Sequence, residues 1–282
     1  MMDPVHTTSE TYSLKPDPYS SHSVVLRWLA QGRGRRLLDV GAADGLLSRH
    51  LSARGWKVTA IERDAAAADA GRGHCELMVV ADLDREIPAL EGAFDVIVYG
   101  DVLEHLANPL RVLTALNRRL APGGEVLISI PNVAHLWIRL CLLFGRFDYL
   151  DRGILDSTHL RFFTDRSLRA LVAEAGLAVI RRTVTPAPLY QAISSRWHGR
   201  TLAIVHAFNA WAARRLPRLL AYQFVVCARP QASAPGSTSE NRGAPQVSRG
   251  APSAGGTRRG RGSPGTVERL GVKGALRGPL WD

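Results

Sequence analysis

No run of about 18 uninterrupted apolar residues occurs in the chain, so no membrane-spanning helix is expected. The N-terminal residues lack the apolar stretch of a secretory leader, which points away from export. Cysteine is scarce. Cys75, Cys141 and Cys227 are the only three, without paired spacing, which argues against a disulfide framework or a thiolate zinc site and for a reducing, cytoplasmic compartment. Acidic residues are missing altogether between Glu174 and Glu240, a stretch that carries eight arginines. The formal net charge is +11, of which +5 falls in residues 231–282. That last stretch is Gly, Pro, Ser, Ala and Arg with almost no apolar periodicity, so it is expected to be a disordered basic tail. Its arginines lack interleaved aromatics, which predicts nonspecific charge and no specific nucleic acid partner. The remainder divides into a flexible segment over 1–20 and one domain over 21–230, with insertions at 133–160 and 186–220.

The chain is organised around Arg35–Leu51. An apolar run ends in Asp39, the small residues Gly41-Ala42-Ala43-Asp44-Gly45 make a turn, and Leu46, Leu47 and Leu51 recur at helical spacing. Strand, small-residue turn and helix bring backbone close to a nucleotide-like ligand at the carboxyl end of a strand. The third glycine of a dinucleotide fingerprint is absent, since position 46 is Leu. Asp39 at the strand end would repel a pyrophosphate and attract an ammonium or sulfonium group.

Asp39-Val40-Gly41-Ala42-Ala43-Asp44-Gly45 resembles the first motif of the class I S-adenosylmethionine-dependent methyltransferases, with Ala43 in place of the middle glycine. The resemblance implies an α/β, Rossmann-like fold. Its seven-stranded sheet has order 3-2-1-4-5-7-6, with strand 7 antiparallel and helices on both faces. It also implies S-adenosylmethionine as cofactor, held at Asp39, Gly41, Ala43 and Gly45. Glu62 ends the second predicted strand (57–62), 21 residues after Gly41, where a carboxylate can accept from both ribose hydroxyls. The family places an acid and an apolar residue after the third strand (77–81) against the adenine, and Asp82 and Leu83 stand there.

The fourth strand (94–99) leads to Gly100 and Asp101, where cofactor and acceptor should meet. Asp101-Val102-Leu103-Glu104-His105 resembles the acidic-x-x-Glu-His array of the ubiquinone-biosynthesis O-methyltransferases and their relatives. In that group the array can hold a divalent metal. No metal is expected here; Asp101, Glu104 and His105 are the candidate donors if one binds. Pro122-Gly123-Gly124 precedes the fifth strand (125–130). A helix is expected over 133–147 with Leu136, Trp137, Leu140, Leu143 and Phe144 on one side. It reads either as a lid over the site or as a surface for a lipid or lipid-linked substrate.

The block Thr158-His159-Leu160-Arg161-Phe162-Phe163 resembles one in methyltransferases of saccharide, lipid and quinone pathways. An imidazole at His159 can take a hydroxyl proton, or can simply fix its loop; His105 is the second candidate base. Arg161 could hold a substrate anion or pair with Asp156 or Asp165. Ile204, Phe208 and Trp211 follow helical spacing, ending in Arg214 and Arg215. That helix can lie on an anionic membrane or pack on the fold with its arginines solvated. The expected function is methyl transfer to a small-molecule acceptor, most simply a hydroxyl of a saccharide, quinone or lipid-linked compound. The alternative is a cofactor-binding partner without catalysis. The partners expected are that acceptor and an anionic membrane surface met through 133–147 and 196–218, which would place the chain in the cytoplasm or peripherally on the inner membrane face.

Overall fold

The computed structural model describes residues 17–231; of the segments expected to be loose, 1–20 and the basic tail 231–282, all but 17–20 and 231 lie outside the described residues. Seven strands, β1 (Arg36–Val40), β2 (Lys57–Glu62), β3 (Leu77–Val80), β4 (Phe94–Gly100), β5 (Leu120–Pro131), β6 (Leu177–Thr185) and β7 (Gln223–Pro230), form one sheet in the order β3-β2-β1-β4-β5-β7-β6. The first five pair parallel, while β7 runs antiparallel between β5 and β6, with Ile128 opposite Val226 and Val184 opposite Phe224.

The central strands are apolar on both faces because helices cover both. On β4, Ile97 and Tyr99 face one core, Val96 and Val98 the other. The helices are α1 (Ser21–Trp28), α2 (Leu46–Ser52), α3 (Ala65–Gly71), α4 (Pro109–Asn117), α5 (Leu136–Leu143), α6 (Asp165–Glu174), α7 (Leu189–Ala192), α8 (Arg200–Arg215) and α9 (Pro217–Leu220). Leu113 and Leu116 of α4 with Leu168 and Val172 of α6 fill the first core. Val25 of α1 with Leu47 and Leu51 of α2 fill the second.

Ser20 caps α1; its Oγ accepts from the Ser23 amide at 3.2 Å. One local expectation changes. In the insertion, regular helix is confined to Leu136–Leu143, capped by His135, so the expected 133–147 helix is shorter at both ends. The sheet order reverses between β1 and β4, and their carboxyl ends therefore open the crevice in which such folds bind ligands.

Candidate active site

The turn after β1 is built from alternating left-handed residues. Gly41, Ala43 and Gly45 have φ of 71°, 48° and 74°. This alternation explains the spacing of small residues, since only a minimal side chain adopts that region cheaply. Gly41 is further constrained by Val102 from the β4 loop, whose Cγ2 lies 2.3 Å from where a Cβ would stand. Gly45 sits against Gly71 at the end of α3, a close approach that makes Gly71 part of the site; the sequence reading had not singled it out.

Glu62 joins this turn to β2. Its Oε2 accepts from the Ala43 amide at 2.8 Å and its Oε1 from the amides of Arg63 and Asp64 at 2.8 and 2.9 Å. Three donated bonds fix the carboxylate and leave lone-pair capacity for further donors. Asp82 accepts from the Asp84 amide and pairs with Arg85 at 3.2 Å, while Leu83 is buried in the first core.

Asp39 is buried, with the Ser48 hydroxyl donating to its Oδ2 at 2.8 Å. Burial pushes its carboxyl up to about 6; the Ser48 bond opposes that rise and the nearby Glu62 charge adds to it. The folded chain therefore holds this proton to higher pH than the unfolded chain, whose Asp titrates near ~3.9. The stabilisation from neutral Asp39 is complete below about pH 4 and is lost as pH rises through about 6, a difference of roughly 3 kcal/mol. Asp39→Asn is accordingly expected to be more stable than the parent at pH 7.5, by up to about 3 kcal/mol, with the gap shrinking towards pH 5. Urea unfolding at the two pH values measures it; a gap independent of pH would contradict the assignment.

Asp101 has φ of 55°, a conformation uncommon for a residue other than glycine. A polar cage holds it there. The Ser129 hydroxyl donates to Oδ1 at 2.7 Å, Gln223 Nε2 to Oδ2 at 2.8 Å and the Ser21 hydroxyl to Oδ2 at 3.4 Å. His22 stands beside it: burial holds that imidazole below its ordinary range, against the pull of the Asp101 and Asp44 carboxylates. Ser21, His22, Ser129 and Gln223 escaped sequence reasoning because they come from three elements far apart in the chain, α1, β5 and β7. A Cβ on the neighbouring Gly100 would meet nothing within 4 Å. Glu62, Asp82 and Asp101 thus bring carboxylates to the carboxyl ends of β2, β3 and β4. Acceptors of this kind suit a ligand bearing hydroxyl, amine and sulfonium groups, as S-adenosylmethionine does.

Among the described residues one ligand atom from each of Glu104, His105 and His159 lies within 4.8 Å of the others, a grouping that does not include Asp101. The His105 and His159 rings meet edge to face at 4.8 Å. The 156–163 loop is fastened to the short helical turn Leu103–His105. The Glu104 carbonyl accepts from the Leu160 and Arg161 amides, and the Arg161 side chain donates to the Ala107 carbonyl. Arg161 is therefore a loop fastener, and neither Asp156 nor Asp165 is its partner; Asp165 instead pairs with Arg169, Arg182 and Arg218. Burial, then the His159 charge, holds His105 below the ordinary imidazole range.

From His159 a row of rings leads outward. Phe162 lies 6.3 Å from His159, Phe147 5.6 Å from Phe162, and Tyr149 5.7 Å from Phe147. The row ends at exposed Tyr149, and in the helix and turn that precede Phe147, Trp137, Leu143 and Phe144 are 65%, 75% and 77% exposed. On α8 the side that packs inward is Leu202, His206, Ala210 and Ala213, with His206 Nε2 3.0 Å from Asp17 Oδ1. Ile204, Phe208 and Trp211 are exposed, so α8 packs on the fold through its other face and leaves Arg214 and Arg215 exposed. No described helix is long and apolar enough to cross a membrane.

A family model described as a methyltransferase domain matches residues 18–182. A ubiquinone biosynthesis O-methyltransferase of Pseudomonas aeruginosa is 32% identical over 154 residues, which cover 52% of this chain and 66% of that enzyme. One from Alkalilimnicola ehrlichii is 37% identical over 105 residues, covering 35% of this chain and 42% of that enzyme. The chain thus spans less than two thirds of these relatives. Among solved structures, an S-adenosylmethionine-dependent methyltransferase from Mesorhizobium loti superposes with a TM-score of 0.52 at 15% identity, over 74% of this chain and 98% of that one. The CcbJ methyltransferase from Streptomyces caelestis gives 0.51 at 14% identity, over 77% and 91%. At these identities the structural likeness shows the fold.

Proposed function

Because the chain belongs to the methyltransferase-domain family, we propose that it transfers the methyl group of S-adenosylmethionine to a hydroxyl of a small acceptor reached from an anionic membrane surface. The observation that carries this reading is the row of rings from His159 through Phe162 and Phe147 to exposed Tyr149, in the same insertion as the exposed Trp137, Leu143 and Phe144. The relatives are named for ubiquinone biosynthesis, and a hydroxyl-bearing ring on a lipid chain is the acceptor class this surface suits best; saccharide-lipids share its chemistry.

The cofactor supplies an electrophilic methyl on a sulfonium. The protein's part is placement and proton removal. Glu62, fixed by three amides, orients the ribose side, and Asp101, caged by Ser129 and Gln223, fixes the opposite rim. Holding two reactants in line removes much of an entropic barrier. The proton of the attacking hydroxyl goes to the Glu104–His105–His159 cluster, with His159 the first candidate and His105 the second. Nδ1 of His159 lies 3.0 Å from the Ile154 carbonyl, which can only accept. That nitrogen therefore carries the ring proton, and Nε2 keeps the lone pair a base requires.

The membrane part rests on apolar and basic residues together. Arg139, Arg196, Arg214, Arg215 and Arg218 are exposed alongside Trp137, Phe144, Phe208 and Trp211. Arg139 Nη2 donates to the Arg218 carbonyl at 3.3 Å, tying α5 to the chain that follows α8. Aromatic and basic residues side by side are the composition of an interfacial anchor. Labelled methyl transfer from S-adenosylmethionine to a vesicle-borne phenol tests the whole reading. Transfer that Glu62→Ala abolishes is expected; cofactor binding without transfer to any hydroxyl acceptor would leave a non-catalytic binding protein.

A further inference from the structure

The loop that carries His159 goes on to border a cavity that proton removal does not use. The residues that follow the base, Leu160–Phe163, form one wall of a surface cavity of about 550 Å³; the start of α4 and Ser167 of α6 form the other. Small-molecule sites run from about 300 to 1,000 Å³, so the volume is that of a ligand site. Phe162 belongs both to the cavity wall and to the row of rings, with its centroid 6.3 Å from that of His159. An occupant of the cavity therefore touches the ring that packs on the base.

The walls decide what fits. Pro109, Leu110, Leu160, Phe162 and Phe163 are apolar, and Arg161 is the one charged residue among them. Among the described residues no carboxylate lines the cavity. Two further polar groups are committed to helix caps: Asn108 Oδ1 accepts from the Arg111 amide at 3.0 Å, and Ser167 Oγ from the Thr164 amide at 2.8 Å. Arg161 is only partly committed. Its Nε and Nη2 donate to the Ala107 carbonyl at 3.2 and 2.6 Å, while Nη1 has no partner among the described residues. Two of the guanidinium's five N–H groups thus fasten the loop and three remain. A guanidinium already fastened loses little further freedom when it binds an anion.

We propose that this cavity seats the acceptor, and that the acceptor carries an oxyanion, a carboxylate or a phosphate, which Arg161 binds. The proposal deepens the functional reading above and rests on it. The apolar body of the acceptor lies among Leu110, Leu160 and Phe163, its anion meets Arg161, and its hydroxyl is presented past Phe162 to His159. The walls select for both parts at once. A purely apolar occupant would leave the guanidinium without a counter-charge, and inorganic phosphate alone would leave the apolar walls wet. Paired N–H groups on a carboxylate or phosphate fix orientation as well as affinity. Arg161 is then a specificity-determining residue as well as a fastener, and the two roles give different results on test.

The test uses the full chain and two fluorescent probes that differ only in charge, a hydroxynaphthoate and its uncharged amide. Both are titrated into the parent, Arg161→Gln and Ala107→Phe. Arg161→Gln keeps an N–H for the Ala107 carbonyl and removes the charge, while Ala107→Phe adds a ring at the exposed rim of the cavity. Thermal melts verify that each variant folds. The parent should bind the naphthoate about 10- to 100-fold more tightly than the amide, the worth of a hydrogen bond to a charged group. Arg161→Gln should abolish that preference and change amide binding by less than about threefold. Ala107→Phe should weaken both probes by about tenfold or more. Equal loss of both probes in Arg161→Gln would reduce Arg161 to a fastener and overturn the proposal. So would no binding to the parent, unchanged binding to a folded Ala107→Phe, or displacement of the naphthoate by an equal concentration of inorganic phosphate. Methyl transfer is followed separately. Naphthoate binding as expected, without transfer to any hydroxyl acceptor, sinks the functional reading alone; transfer to the vesicle-borne phenol by a chain that binds neither probe sinks the cavity site alone.

Discussion

Gly41→Val is expected to lower S-adenosylmethionine affinity by at least about 100-fold, equivalent to roughly 3 kcal/mol. Two costs combine. A β-branched residue at φ of 71° is strained, and its Cβ would stand 2.3 Å from Val102 Cγ2. Either the turn or the β4 loop must move, and the two form adjacent parts of the cofactor rim. Gly41→Ala separates the terms, because it carries the same Cβ without the branch. Most of the loss should already appear there if the Val102 contact dominates. Calorimetric titration beside a thermal melt measures both. Unchanged affinity in a folded Gly41→Val would mean that the turn does not form the cofactor site. Ala43 is the milder case of the same geometry: it occupies the left-handed region at φ of 48° where the usual motif has glycine.

Replacing Trp137, Leu143 and Phe144 together by Ser is expected to reduce partition onto anionic vesicles by two to three orders of magnitude. Full burial of a large apolar side chain is worth about 1.5–3 kcal/mol, and insertion to roughly half depth still leaves about 3–4 kcal/mol for the three. All three are more than half exposed, so the substitutions remove little from the core and the fold should persist. Neutral vesicles should bind more weakly than anionic ones, since each arginine near the surface contributes about 1 kcal/mol that salt screens. Co-sedimentation with phosphatidylserine-containing vesicles is the assay. Equal binding of parent and triple variant would assign the exposed apolar face to another role.

The frame of the molecule was legible because its signals are local. Asp39-Val40-Gly41 and Glu62 each sit at the end of an apolar run, and the structure places both at the carboxyl ends of neighbouring parallel strands. The strand order, with β7 between β5 and β6, followed from the resemblance that these motifs carry. What was not legible depends on long-range contacts. Asp101 and Glu104 are three residues apart and looked like one donor set. Asp101 instead takes a positive φ and spends its carboxylate on Ser129 and on Gln223, 122 residues away. His159 comes 55 residues after Glu104, and only the fastening of its loop to the Glu104 carbonyl brings it in. On α8, periodicity identified an apolar stripe, yet the buried face is the one holding His206, drawn in by its pairing with Asp17.

The most direct measurement is transfer of labelled methyl from S-adenosylmethionine to a phenol carried on a lipid chain in anionic vesicles, beside the same phenol free in solution. The account predicts transfer in both forms, faster with the vesicle-borne acceptor, and none with Glu62→Ala. Faster transfer to the free phenol would contradict the membrane route. No transfer to either, in a chain that binds the cofactor, would contradict the methyltransferase reading itself.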